Sequence, residues 1–143
     1  MGLRAEARAA AVAFMTDYAA SASVKMQVYP GRPASINPPT GFVDDVRETD
    51  VITGIITPLR TLNVDIIVLY GRFDSKETVD QADDFVDGLI DWAKTRYHQA
   101  SGNSVIGIVG VNDEPSYVPD WMPPEQQRTY FGTRVTLEGF GGG

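Results

Sequence analysis

Apolar residues recur along the chain with two periods, and the changes of period outline its elements. Between Leu3 and Ser23, Val12, Met15, Ala19 and Ala22 follow one another at steps of three and four, with Phe14 and Tyr18 on an adjoining stripe. Arg4, Glu6, Arg8 and Asp17 wet the other side, and the abundant alanine favours helix. The spacing predicts an amphipathic helix there and a second from Ser75 to Ala100. Asp74-Ser75-Lys76-Glu77 offers this second helix an N-cap side chain with a glutamate following it. Val79, Ala82, Val86, Leu89, Ala93 and Tyr97 repeat at helical steps, and Phe85 and Trp92 widen the stripe. Acidic early turns and Lys94, Arg96 and His98 near the end suit the helix dipole, and Gly102 is a stop signal.

Elsewhere the period is two. Leu62, Val64, Ile66, Val68 and Tyr70 share one side of an extended segment, while Asn63 and Asp65 open the other. Phe131, Thr133, Val135 and Leu137 alternate with Arg134, Thr136 and Glu138. Ser104 to Val111 is an apolar run broken by Gly107 and Gly110, Gly41 to Thr53 reads as a further strand, and Lys25 to Tyr29 as a short one. Together these predict one α+β domain over residues 1–138. Its sheet is mainly antiparallel, of four to five strands, with two helices packed on one face and a long protruding β-hairpin. The glycine-rich residues 139–143 are expected to be a flexible tail.

Three stretches break the pattern. Pro30 to Pro39 is a rigid, turn-rich connection. Val51 to Pro58 forms the predicted hairpin tip and is unusually apolar for one. Asn112 to Gln127 carries Pro115, Pro119, Pro123 and Pro124 beside Tyr117, Trp121 and Met122, and is expected to be a loop. Large apolar groups on loops are either covered by another polypeptide or folded back over their own core. The first alternative makes Val51, Ile52, Ile55, Ile56, Tyr117, Trp121 and Met122 candidate interface residues.

Composition narrows the chemistry. Of 143 residues, 19 are acidic and 12 basic, a formal charge of -7 that argues against gripping nucleic acid or an anionic membrane. Cysteine is absent and His98 is the one histidine, which excludes thiolate chemistry and multi-histidine metal sites. The longest apolar runs are too short to span a bilayer, and no targeting segment is visible. Asp80, Asp84, Asp87 and Asp91 share one helix side with Asp83 beside them, a spacing that could hold Mg²⁺ or Ca²⁺ but reads first as a solvated face, since the apolar positions account for the rest of the helix. Asp44, Asp45, Glu48 and Asp50 form a second acidic group, on a strand whose alternation keeps them from converging. No nucleophile elbow, phosphate loop or dinucleotide fingerprint is present. No catalytic residue, metal ligand or cofactor is assigned, and the chain does not read as an enzyme.

In overall layout the chain resembles the tail terminator (head-to-tail joining, tail completion) proteins of long-tailed bacteriophages. The segments that carry the likeness are the alanine-rich N-terminal helix leading into Val28-Tyr29-Pro30-Gly31-Arg32-Pro33, and Pro38 to Val43 entering a strand. The hairpin arm ending Tyr70-Gly71-Arg72-Phe73-Asp74, the helix with Asp84-Phe85-Val86-Asp87-Gly88 and two closing strands complete it. The resemblance implies a structural virion protein, assembled in the host cytoplasm and placed in the tail or neck. Such a protein forms a homo-oligomeric ring, six-fold in that family. The ring caps the tail tube protein, stops its polymerisation and meets the head connector or stopper protein. DNA would pass through without specific binding. Asp44, Asp45, Glu48 and Asp50, or Asp80, Asp83, Asp84 and Asp87, are then candidates for an acidic lumen that repels phosphate. Another neck component, such as a head-completion or stopper protein, and a small metal-dependent enzyme or ligand-binding domain are the alternatives.

Overall fold

Small side chains on one stripe let the first helix, α1 (Leu3–Ser21), lie close against the sheet: Ala7, Ala11, Met15, Tyr18 and Ala19 are all buried. The contact stripe therefore includes Tyr18, while Ala22 at the end of the expected stripe is exposed. A computed structural model of the chain describes residues 2–50, 59–72, 76–97 and 105–142. Beyond α1 it contains β1 (Gln27–Tyr29), β2 (Thr40–Asp50), β3 (Leu59–Arg72), α2 (Lys76–Tyr97), β4 (Val105–Tyr117) and β5 (Tyr130–Gly142). The strand order is β1-β2-β3-β5-β4.

The architecture is α+β, with one mixed five-stranded sheet and two helices. β2, β3, β5 and β4 pair antiparallel, and β1 joins β2 in parallel. Both helices lie on the same face. Ala82, Phe85 and Leu89 of α2 join the α1 residues over Val43, Val46, Leu62, Val64, Ile66, Val68, Val135 and Leu137. Burying this contiguous apolar surface is the main stabilising term. No helix among the described residues is long and apolar enough to cross a membrane.

Val43 and Val46 both face the helices although they are three residues apart. A bulge makes this possible. Val43 stands opposite Ile66 and Asp45 opposite Asp65, so Asp44 is the extra residue.

Two expectations are corrected. β4 does not stop at Val111 but runs through Asp113, Glu114 and Pro115 to Tyr117, which removes the first third of the expected proline-rich loop. An edge strand tolerates proline because one side of its ladder needs no donor. Of the expected tail, residues 139–142 are the end of β5, with Gly139 opposite Leu62 and Gly142 opposite Leu59, and Gly143 lies outside the described residues. β2 and β3 pair as the two arms of the expected hairpin. Its tip, residues 51–58 with Val51, Ile52, Ile55 and Ile56, lies outside the described residues, as do Asp74, Ser75, His98 and Gly102.

Candidate functional site

The sheet face away from the helices divides into an aromatic half and a charged half. On the aromatic half, Phe42, Ile67 and Leu69 are fully buried, with Tyr29, Ile36, Tyr117, Trp121 and Tyr130 packed against them. Here the segment after β4 folds back on its own chain. Trp121 packs edge-on against Phe42 at 5.3 Å, and its Nε1–H donates to the Pro33 carbonyl at 3.0 Å. The Arg32 guanidinium lies 5.1 Å from the Trp121 ring. Met122 is 6% exposed, and its carbonyl accepts from the Gln127 amide at 2.9 Å. Burial pushes the Tyr117 phenol up to about 12. The expectation that Tyr117, Trp121 and Met122 project as exposed anchors is thus corrected: they cap their own sheet. Val118, 41% exposed, is the apolar side chain this segment leaves outside.

The charged half is centred on Asp65, which β3 places in mid-sheet at 3% exposure. Arg47 on β2 binds it in a fork, Nη1 to Oδ2 at 2.6 Å and Nη2 to Oδ1 at 3.1 Å. From β5, Arg134 Nη1 donates to Oδ2 at 3.0 Å and the Thr136 hydroxyl to Oδ1 at 2.8 Å. Arg134 also reaches Glu114 on β4 at 3.0 Å and Asp44 at 3.2 Å. Asp44 is shared with Arg32, and Asp45 binds Arg47 at 3.0 Å. The Asn63 Oδ1, buried on this side of β3, accepts no hydrogen bond among the described residues.

The electrostatics follow from this geometry. Burial raises the Asp65 carboxyl, but hydrogen bonds from Arg47 and Thr136 and the charge of Arg47 outweigh it and hold the group below the usual aspartate range. Arg47 is raised by its hydrogen bonds to Asp65 and Asp45. Arg134 is raised despite its burial, by Glu114, Asp44 and Asp65. Asp65 is an ionised carboxylate with four donors on two oxygens, suited to tying three strands together rather than to taking up a proton.

This arrangement also changes the reading of the acidic candidates. The bulge turns Asp44 to the same side as Asp45, so these two acids come together, but among arginines, while Glu48 faces the helices. Glu48 is paired as well, to Arg4 at 3.3 Å. The side chain of Asp50 lies outside the described residues. Asp44, Asp45 and Glu48 are thus each paired with an arginine. By contrast Asp80, Asp83, Asp84, Asp87 and Asp91 are all exposed along α2. Among the described residues no group of three or more His, Asp or Glu is placed to hold a metal ion.

The sequence reading missed Arg47, Asp65 and Arg134 as one unit. The signal was present as polar residues alternating on three strands; what it lacked was the register that brings them level. No protein family matches the chain, and no curated protein matches it in sequence.

Proposed function

We propose that this chain is a structural subunit of a phage neck: a tail terminator whose ring caps the tail tube, ends its growth and presents a surface to the head connector. The support is the family-like layout together with the charge distribution. The observation that carries it is the exposed row Asp80, Asp83, Asp84, Asp87 and Asp91 on α2, set against sheet acids that are largely neutralised by arginine. A single helix side of unneutralised carboxylates suits the wall of a DNA conduit, because it repels phosphate and lets the duplex slide. The paired arms β2 and β3 would carry the apolar tip outward as a protruding hairpin, and one patch on each subunit meeting a different patch on the next generates a ring.

The test is to add the purified protein to tail tube subunits under polymerising conditions and image the product in negative stain. Tubes of arrested length, each ending in a ring of this chain, are expected. Tubes that grow unhindered and carry no added density would refute the assignment. A ring that binds connectors but never tubes would move the chain to another neck layer.

A further inference from the structure

Proteins defend sheet edges with charge, proline or a covering element. β4 has β5 on one side and, among the described residues, no strand on the other. Its two halves differ. Residues 112–117 read Asn-Asp-Glu-Pro-Ser-Tyr, with charge and proline. Residues 105–111 read Val-Ile-Gly-Ile-Val-Gly-Val, with neither, and Val109 is 52% exposed. Bulges beside Gly107 and Gly110 add twist, a milder defence than charge. Alongside this bare half runs a mainly apolar cleft of about 600 Å³, walled by Ile90, Ala93 and Lys94 of α2 and by Gly107 to Val111.

We propose that this cleft is the socket for the hairpin tip of a second copy, residues 51–58, whose Val51, Ile52, Ile55 and Ile56 supply the apolar side chains it lacks. This rests on the ring reading above and names the surface that receives the tip. Four observations select the occupant. The tip sequence Val-Ile-Thr-Gly-Ile-Ile-Thr-Pro carries no charge, matching the uncharged half of β4 and a cleft in which Lys94 is the one charged side chain among the described residues. The exposed carboxylates Asp83, Asp87 and Asp91 elsewhere on α2 disfavour an acidic segment nearby.

The chain's own tip is poorly placed to fill the cleft. It leaves β2 at Asp50 and re-enters β3 at Leu59, and β5 and β4 both stand between β3 and the open edge. Eight residues must span two strand spacings, roughly 10 Å, seat their side chains and return, which leaves little chain for contact. Finally, the register puts tip and socket at the same end of the sheet, with Leu59 opposite Gly142, and Val105 opposite Gly139. A neighbour displaced sideways meets the socket at the same level, a heterologous contact able to close into a ring.

The chain has no cysteine, so cross-linking is a clean test. Val109→Cys and Ile55→Cys are made singly and together, and oxidised with and without tail tubes. Mixing the single variants is expected to give a mixed disulfide between copies, and the double variant a ladder rising to the full ring. A double variant that stays monomeric, whether its thiols remain free or close within one chain, overturns the proposal. So does a predominance of Val109→Cys homodimers, which would mean edge-to-edge pairing. Val109→Lys, checked for folding by circular dichroism, is expected to require at least tenfold more protein to form rings. If it still forms rings and caps tubes like the unsubstituted chain, the socket lies elsewhere and the tail role stands. If copies cross-link but the unsubstituted protein never caps tubes, the socket stands and the tail role falls.

Discussion

Asp65 and Arg47 meet through two hydrogen bonds, of 2.6 and 3.1 Å, yet the carboxylate is almost wholly buried and the guanidinium is 44% exposed. Water can therefore compensate much of the loss of one partner and almost none of the loss of the other. Arg134, 26% exposed, lies between the two and serves three carboxylates rather than two. Removing it leaves Asp65 with Arg47 and Thr136 but weakens the hold on Asp44 and Glu114 together. Arg47→Met, which strips two of the four hydrogen bonds from the buried Asp65 carboxylate, is expected to destabilise by about 3 kcal/mol, and Arg134→Met, which strips one but also releases Asp44 and Glu114, by about 2 kcal/mol. Urea denaturation of both variants checks the order. A larger loss for Arg134→Met than for Arg47→Met would mean that the network is organised around Arg134 instead.

The same carboxylate makes stability depend on acidity. Its folded proton affinity is below the ordinary value of 3.8. The unfolded chain therefore takes up the Asp65 proton first as pH falls, and the folded state loses ground. The contribution is fully present above about pH 5 and drains away from about pH 4 downward. Asp65→Asn has no such group, so its stability deficit should be constant from neutral pH to about pH 5 and narrow as pH falls toward 3. Chemical denaturation of both proteins across that range decides it; a deficit that does not narrow would mean the carboxyl is not ionised in the folded protein.

Trp121 distinguishes a side chain that caps its own sheet from one that waits for a partner. Its ring covers Phe42 and its indole N–H is used within the chain. Trp121→Ala should then cost the isolated monomer about 2–3 kcal/mol, somewhat below a fully buried tryptophan. Thermal unfolding followed by far-ultraviolet circular dichroism measures this without any partner. An unchanged monomer with impaired assembly would return the residue to the interface role.

Local chemistry made both helices legible, with ends within about three residues, because periodicity and dipole-matched charge are properties of consecutive residues. The alternation of residues 62–70 was legible for the same reason. The charged half of the sheet was not. Asp65, Arg134 and Arg47 come from three strands, and their meeting depends on register and on the one-residue bulge at Asp44, neither of which a strand announces by itself. β4 was cut short because Pro115 reads as a breaker, whereas at an edge it is tolerated. Residues 139–142 were read as tail because glycine has poor strand propensity; their pairing with β3 overrides it.

Gly88 also needed the third dimension. A glycine in mid-helix disfavours α2 by about 1 kcal/mol relative to alanine, so a packing reason should accompany it. The reason is Tyr18. A Cβ at position 88 would lie 2.6 Å from the Tyr18 hydroxyl oxygen, which donates to the Phe85 carbonyl at 2.7 Å. That ring is also held by edge contact with Phe85 at 4.9 Å and by Trp92 at 5.5 Å, so it has little room to retreat. Gly88→Ala is expected to destabilise by about 1–2 kcal/mol, the overpacking penalty exceeding the gain in propensity. Tyr18→Phe alone should cost about 1 kcal/mol for the lost hydrogen bond. In the double variant the missing hydroxyl makes space for the methyl group, and its stability should exceed that of Gly88→Ala alone. Thermal denaturation of the four proteins forms a double-mutant cycle, with a coupling of at least about 1 kcal/mol expected between the two sites. Simple additivity would mean that the clash is relieved elsewhere and that Gly88 does not set the approach of α1 to α2.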